Sequence, residues 1–186
     1  MRLKSVVALG VLCALLGVVE PAEAQFSSSE TTVTMSADLF ESLTVVVLPG
    51  IVNFTLGSGS ATNAGSTPVV VTTTWALSLT RTSLKLYAYF SNSTAALAHT
   101  LPGNTVDIPS SRFQIAVNGG SFAAVNQTVT FGGASAGLQL FSQALTAGTI
   151  AGLRADTLTF NIDLSNYVLP VDVYTGTLRL RAQATP

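Results

Sequence analysis

The residues of this sequence that could carry out acid–base or metal chemistry are one histidine and a few carboxylates. His99 lies in an Ala/Leu/Ser stretch with no Gly-x-Ser-x-Gly element beside it, whereas nucleophilic hydrolysis needs a base next to its nucleophile. One histidine, with no cysteine after Cys13, cannot supply the three or four ligands of a typical zinc site. We therefore predict that His99 is a solvent-facing loop residue and that the protein holds no metal ion and no cofactor.

Two carboxylates would suffice for glycoside hydrolysis, and the C-terminal part of the chain offers three. Asp156 and Asp163 bracket one predicted strand, and Asp172 lies in the loop that follows. The chain has no Asp-x-Asp-x-Asp run of the kind that opens a calcium-binding loop. Asp163 falls on the polar face of its predicted strand, where it would solvate the sheet. We predict no catalytic residue and no enzyme activity.

The N-terminus has the pattern of a secretory signal. Arg2 and Lys4 precede an apolar run from residue 6 to 19, and Ala22-Glu23-Ala24 supplies the small residues that a signal peptidase reads. The apolar run is shorter than the roughly 20 residues of a spanning helix. The sequence predicts a cleaved signal peptide over residues 1–24 and no membrane insertion after cleavage. The expected location is the periplasm, the cell surface or the extracellular space.

Charge is scarce in this sequence. Lys and Arg number 8, Asp and Glu number 9, and charged residues make up 9% of the chain, against roughly 25% in ordinary domains. No basic stripe is present, so nucleic acid is not an expected partner. Ser, Thr, Val, Ala and Gly replace the charges, a composition typical of extracellular β-proteins and of subunits that pack against copies of themselves.

Alternating side chains indicate strands along most of residues 25–186. Residues 157–184 predict two strands joined by a short loop, the second running without a break from Tyr174 to Ala184. Leu178 and Leu180 would be buried, and Arg179 and Arg181 would lie on the opposite face, where charge protects an edge strand from uncontrolled pairing.

Other strand-like segments precede this pair, separated by turn residues. They are residues 43–48, 51–56, 69–79, 83–90, 113–117 and 125–131. Hairpins are expected at Pro49-Gly50, over residues 80–83 and at Asn118-Gly119-Gly120. Residues 57–67 would form a flexible loop, and residues 132–156 one short helix or a long loop. The sequence predicts an all-β fold, a single antiparallel β-sandwich of eight or nine strands, immunoglobulin-like or jelly-roll, with a mobile N-terminal lead-in.

Three aromatic residues are candidates for a contact role. Trp75 fits the core of a sandwich, with a sugar-stacking platform as the alternative. Tyr87 and Tyr89 would form a ridge on the polar side of a strand, suited to a partner or a carbohydrate. Ordinary cross-strand pairing is the alternative for these two residues.

The closing stretch resembles the last strand of spore coat protein U-like secreted domains, which are related to the subunits of archaic chaperone–usher pili. The resemblance rests on Tyr174-Thr175-Gly176-Thr177 and the alternating Leu178 to Ala182 that follow. It implies a bacterial surface or appendage subunit, partnered by copies of itself, other surface subunits and a periplasmic chaperone. It also implies that an extended N-terminal segment adds as a strand to the next subunit. Residues 26–37, with Val33 and Met35, would be that donor, or else the first strand of their own sheet.

A second stretch is similar to the WxL wall-binding domain. Thr74-Trp75-Ala76-Leu77 has the Trp-x-Leu order. This resemblance implies a β-sandwich module that binds cell wall or carbohydrate, the alternative to an assembly subunit.

Overall fold

A computed structural model describes residues 29, 31–127 and 137–186 of the chain. The predicted signal peptide and part of the predicted strand at 125–131 lie outside these residues. The chain divides into two units, Met1–Asp38 and Leu39–Pro186. In the first unit, residues 31–38 form no helix and no strand. The strands of the described residues all belong to the second unit.

The second unit is a β-sandwich of antiparallel strands, as the sequence predicts. Its strands are β1 (Ser42–Leu48), β2 (Val69–Ala76), β3 (Ser83–Phe90), β4 (Ala98–His99), β5 (Phe113–Val117), β6 (Ala123–Ala124), β7 (Leu138–Ala144), β8 (Ala151–Ile162), β9 (Tyr174–Thr175) and β10 (Leu178–Thr185). One sheet has the order β1-β2-β8-β5-β6, a second has β10-β3-β7, and β4 pairs with β9. A 3-10 turn, Ser110–Arg112, precedes β5.

The inner strands bury every second residue, which is why alternation in the sequence located them. In β2, Val69, Val71, Thr73 and Trp75 are buried. In β3, the buried set is Leu84, Leu86, Ala88 and Phe90. Side chains in a strand alternate between the two faces of the sheet, so each of these strands directs its apolar set into the space between the sheets.

Aromatic side chains from both sheets meet in the core. The ring of Phe113 in β5 lies 5.2 Å from that of Phe90 in β3 and 5.7 Å from that of Phe160 in β8. Phe54, from the segment after β1, contacts the same ring edge-on at 5.8 Å. Phe113 therefore holds the two main sheets and one connecting segment together.

Two of the three expected hairpins are wrong, and the reason is the same for both. β1 pairs with β2 rather than with residues 51–56, of which only Phe54 makes an isolated bridge, to Gly65. β2 and β3 belong to different sheets, so residues 80–83 cross between the layers. Turn residues show where a strand ends but not which strand its neighbour pairs with. The third hairpin is confirmed, because β5 pairs with β6 across Asn118 and Gly119, both at positive φ.

The C-terminal region differs from the expectation in three ways. The two closing strands do not pair with each other, because β8 lies in the five-stranded sheet and β10 in the three-stranded sheet. The predicted unbroken strand is interrupted at Gly176 and Thr177, where the chain leaves β9 and enters β10. Residues 132–156, expected to be a helix or a loop, contain β7 and the start of β8.

Candidate functional site

The core is incomplete along one side of the sandwich, between the first and the last strand. β1 is the outer strand of the five-stranded sheet and pairs only with β2, and β10 is the outer strand of the three-stranded sheet and pairs only with β3. The two strands are neighbours across the gap between the sheets. Each leaves a row of backbone donors and acceptors without a strand partner among the described residues. We call this gap the seam.

Apolar side chains that point into the seam are only half-buried, although they pack against the core. On β1 these are Leu43, Val45 and Val47, and on β10 they are Leu178, Leu180, Ala182 and Ala184. Their counterparts on β2 and β3 are buried. Leu178 and Leu180, expected to be fully buried, are half-exposed because no strand covers the outer side of β10.

A cleft of about 220 Å³ opens at one end of the seam. Its walls come from the beginning of β1, the end of β10 and the connection between β2 and β3. The lining residues are Glu41, Ser42, Leu43, Leu77, Arg81, Ala182, Gln183 and Ala184. The start of β1 thus lies beside the end of β10, so the two edges run in opposite directions.

An ion pair fixes the start of β1 at this cleft. The Glu41 carboxylate accepts hydrogen bonds from the Arg81 guanidinium, at 2.9 and 3.1 Å, and from the Ser78 backbone N–H at 2.7 Å. The hydrogen bonds from Arg81, followed by the one from Ser78, lower the pKa of Glu41 to about 2. The ion pair ties β1 to the β2–β3 connection and leaves the edge of β1 open. Nothing in the alternation pattern indicates it, because both residues lie outside strands.

The predicted donor residues are exposed. Val33 and Met35 expose 78% and 88% of their surface and lie in the segment that forms no strand. The two apolar residues that follow Asp38, Leu39 and Phe40, are also exposed.

Trp75 is a core residue in this structure. It is 6% exposed, and its indole N–H donates to the backbone oxygen of Thr149 at 2.9 Å. Gly152 packs so closely against the ring that a Cβ at this position would lie 2.7 Å from it. A sugar could stack on this ring only if the sheets separated.

Tyr87, Tyr89, Arg179 and Arg181 come together on the outer face of the three-stranded sheet. Tyr87 lies opposite Arg181, and Tyr89 lies opposite Arg179, in the pairing of β3 with β10. Both tyrosines are half-buried and both arginines are exposed. Tyr174 lies elsewhere, in β9, where its hydroxyl donates to the Pro170 oxygen at 2.9 Å.

His99 is not the solvent-facing loop residue that the sequence predicts. It lies in β4, and its Nδ1 is 2.7 Å from the Asp107 carboxylate. The hydrogen bonds from the His99 backbone N–H and ring lower the pKa of Asp107. The contact joins two neighbouring segments of the chain, which is a structural role.

The three C-terminal carboxylates each bind groups of the chain itself. Asp156 is 2% exposed and accepts hydrogen bonds from Arg154 and from the Asn118 amide. Asp163 follows β8 and accepts from the backbone and hydroxyl of Ser165. Both carboxylates thus take part in hydrogen bonds within the fold.

Asp172 fastens the segment before β9 to the loop after β4. Burial raises the pKa of its carboxyl, but hydrogen bonds from Asn104, Leu101, Thr100 and Val173 outweigh burial and lower the pKa to about 2. The Asn104 amide donates at 2.7 Å and the Thr100 hydroxyl at 3.0 Å. Ionised Asp172 therefore stabilises this corner of the fold.

The described residues contain no group of three or more His, Cys, Asp or Glu side chains that could hold a metal ion. Over the same parts of the chain, no helix has the length and apolar character needed to cross a bilayer.

No protein-family model matches this sequence, and no curated protein matches it either.

Proposed function

We propose that this protein is a secreted, non-enzymatic structural subunit of a surface appendage, and that copies assemble when a β-strand of one enters the seam of another. The single observation that carries the proposal is the pair of facing edge strands, β1 and β10, whose inward apolar side chains remain half-exposed.

A strand added in the seam would satisfy two needs at once. It would give hydrogen-bond partners to the free backbone edge of β1 or of β10. Its inward side chains would cover Leu43, Val45 and Leu180 together with their half-buried neighbours. Burying the remaining half of such an aliphatic side chain is worth roughly 1 kcal/mol each.

Residues 26–37 of another copy are the proposed donor. Val33, Met35 and Ala37 occupy alternate positions, so in an extended strand they share one face. No charged residue interrupts them, and Glu30 precedes the set. The resemblance of Tyr174 to Ala182 to the closing strand of spore coat protein U-like domains points to the same mode of assembly. A periplasmic chaperone is the expected temporary occupant of the seam.

Deleting residues 26–37 tests the proposal. We expect the variant to fold with an unchanged circular dichroism spectrum and to stay monomeric in sedimentation velocity at concentrations where the full chain polymerises. A synthetic peptide of residues 26–37 should bind this variant and raise its melting temperature. The matched control is the same peptide with Val33→Asp and Met35→Asp, which should not bind. Polymers of the deletion variant would refute the donor, and an unfolded variant would show that the segment belongs to its own sheet.

Disulfide trapping gives an independent check on the site. A chain carrying Met35→Cys and Ala182→Cys should form a ladder of cross-linked oligomers on oxidation, because Ala182 points into the seam. A chain with Met35→Cys and Ala155→Cys should not form a ladder, since Ala155 is exposed in the middle of β8 and away from the seam.

A further inference from the structure

The three-stranded sheet carries an unusual share of the positive charge. After residue 24 the chain has six Lys and Arg residues: Arg81, Lys85, Arg112, Arg154, Arg179 and Arg181. Three of these, Lys85, Arg179 and Arg181, belong to β3 and β10 of the three-stranded sheet. No acidic residue lies in β3, β7 or β10.

The pairing of β3 with β10 brings these cations to one face. Arg179 lies opposite Tyr89, Arg181 opposite Tyr87, and Gln183 opposite Lys85. Directly opposed residues of an antiparallel pair point to the same side, with Cβ atoms about 5 Å apart. The intervening residues of β3 are buried, so this is the outer face of the sheet. We call Lys85, Tyr87, Tyr89, Arg179, Arg181 and Gln183 the cationic face.

The other three cations lie away from this face. Arg81 pairs with Glu41, and Arg154 pairs with the buried Asp156. Arg112 donates to the Ser165 oxygen and lies 5.1 Å from the centre of the Tyr167 ring. The cationic face is therefore where this nearly uncharged chain presents a concentration of one sign of charge.

We propose that the cationic face binds an acidic polysaccharide, one that carries uronic acid carboxylates. The planar guanidinium group matches a carboxylate with two parallel hydrogen bonds. A tyrosine supplies an apolar ring for a sugar face and a hydroxyl for hydrogen bonding. Each arginine of β10 has a tyrosine beside it in β3, and successive pairs are separated by two residues, about 6.7 Å along the strand. The face thus repeats the same pair of groups along its length, as a repeating ligand requires.

The small number of cations on the face also indicates which kind of polyanion it would bind. Nucleic acid and anionic membranes bind proteins mainly through many phosphate contacts and a strongly positive field. This chain has a net charge of −1 and three cations on the face. A polymer with one carboxylate per sugar needs only a few local cations, and the tyrosines add contacts that do not depend on charge.

Binding of polygalacturonate to the full chain, measured by isothermal titration calorimetry at low and at moderate salt, tests the proposal. We expect saturable binding that weakens with salt, and a loss of at least tenfold in affinity for Arg179→Gln/Arg181→Gln. The control is Arg112→Gln, which removes a charge away from both the face and the seam and should bind as the unchanged protein does. Sedimentation velocity on freshly purified samples and thermal unfolding verify that both variants keep the fold and that aggregates do not contribute to the binding signal.

Three outcomes would overturn the proposal. Equal binding of neutral dextran would show that carboxylates are not recognised. An equal loss in Arg112→Gln would show a general charge effect. Tighter binding of single-stranded DNA, or of vesicles containing phosphatidylglycerol, would assign the face to phosphate groups. None of these results depends on the donor segment, so this test and that of strand assembly can fail separately.

Discussion

At the residue scale, the structure gives a physical reason for the glycine in the closing motif Tyr174-Thr175-Gly176-Thr177. A Cβ built on this glycine would lie 1.9 Å from the backbone oxygen of Ala96. The motif glycine is thus required by close approach of two backbones, at the point where the chain passes from β9 to β10. The sequence shows that a glycine is present there but not which segment it contacts, because Ala96 is distant along the chain.

We expect Gly176→Ala to destabilise the protein by about 2–3 kcal/mol, the upper part of the usual range for overpacking, because the obstructing atom is backbone and cannot rotate away. Urea unfolding followed by circular dichroism measures the change. The control is Gly50→Ala, since a Cβ at Gly50 meets nothing within 4 Å and the effect should stay within about 0.5 kcal/mol. An unchanged urea midpoint for Gly176→Ala would contradict the close contact.

At the element scale, the sequence predicted strands better than it predicted their partners. β2 and β3 were found because every second residue of each is buried, and β5 was found because Phe113, Ile115 and Val117 are apolar at alternate positions. β7 was missed because Leu140 and Phe141 are both buried, at an irregularity where the register with β3 shifts between Leu86 and Tyr87. A bulge places two consecutive residues on one face and so removes the alternation on which the prediction depended.

The loop over residues 57–67 also shows what the local sequence pattern fails to predict. It was expected to be flexible because it is rich in glycine and poor in apolar residues. Asn63 is 3% exposed and donates to the Ile162 oxygen at 2.7 Å, and its backbone N–H donates to the Asn161 side chain at 2.8 Å. Buried amide hydrogen bonds hold this loop to β8. Composition cannot reveal such an anchor, because the partners lie about 100 residues apart in the chain.

Arg179 and Arg181 lie on β10, an edge strand among the described residues, so charge there should limit uncontrolled pairing. We expect Arg179→Thr/Arg181→Thr to increase aggregation severalfold, by light scattering during storage, with little change in the melting temperature. The control variant Arg112→Thr removes charge elsewhere, away from the edge strands and from the Glu41–Arg81 ion pair, and should aggregate less. If the two variants were equally soluble, the protective role assigned to the β10 arginines would be contradicted.

At the scale of the whole molecule, two ionised carboxylates hold outer segments of the sandwich in place. Glu41 ties the start of β1 to Arg81 and Ser78, and Asp172 ties the segment before β9 to Thr100 and Leu101. The folded state lowers the pKa of each to about 2, from ordinary values of 4.5 and 3.8. Lowered pKa values mean that both contacts stabilise the fold fully above the ordinary pKa and lose that effect as pH falls toward 2.

We therefore expect the melting temperature to decline as pH falls from about 5 to about 2, by circular dichroism. The double variant Glu41→Gln/Asp172→Asn should melt lower than the unchanged protein at pH 7 and show a shallower decline, because its side chains cannot titrate. The two single variants separate the contributions. Parallel melting curves against pH for the unchanged and doubly substituted proteins would show that other groups control acid stability.

The pairing of β3 with β10 has a consequence for the order in which the chain can fold. β3 is the central strand of the three-stranded sheet, and its partner β10 is the last strand of the described residues, with Leu84 opposite Ala184. The three-stranded sheet therefore cannot be completed until β10 has been synthesised. Contacts so distant along the chain form slowly, because a long loop must close before they stabilise anything. A newly made copy thus remains without its finished core until β10 has been synthesised.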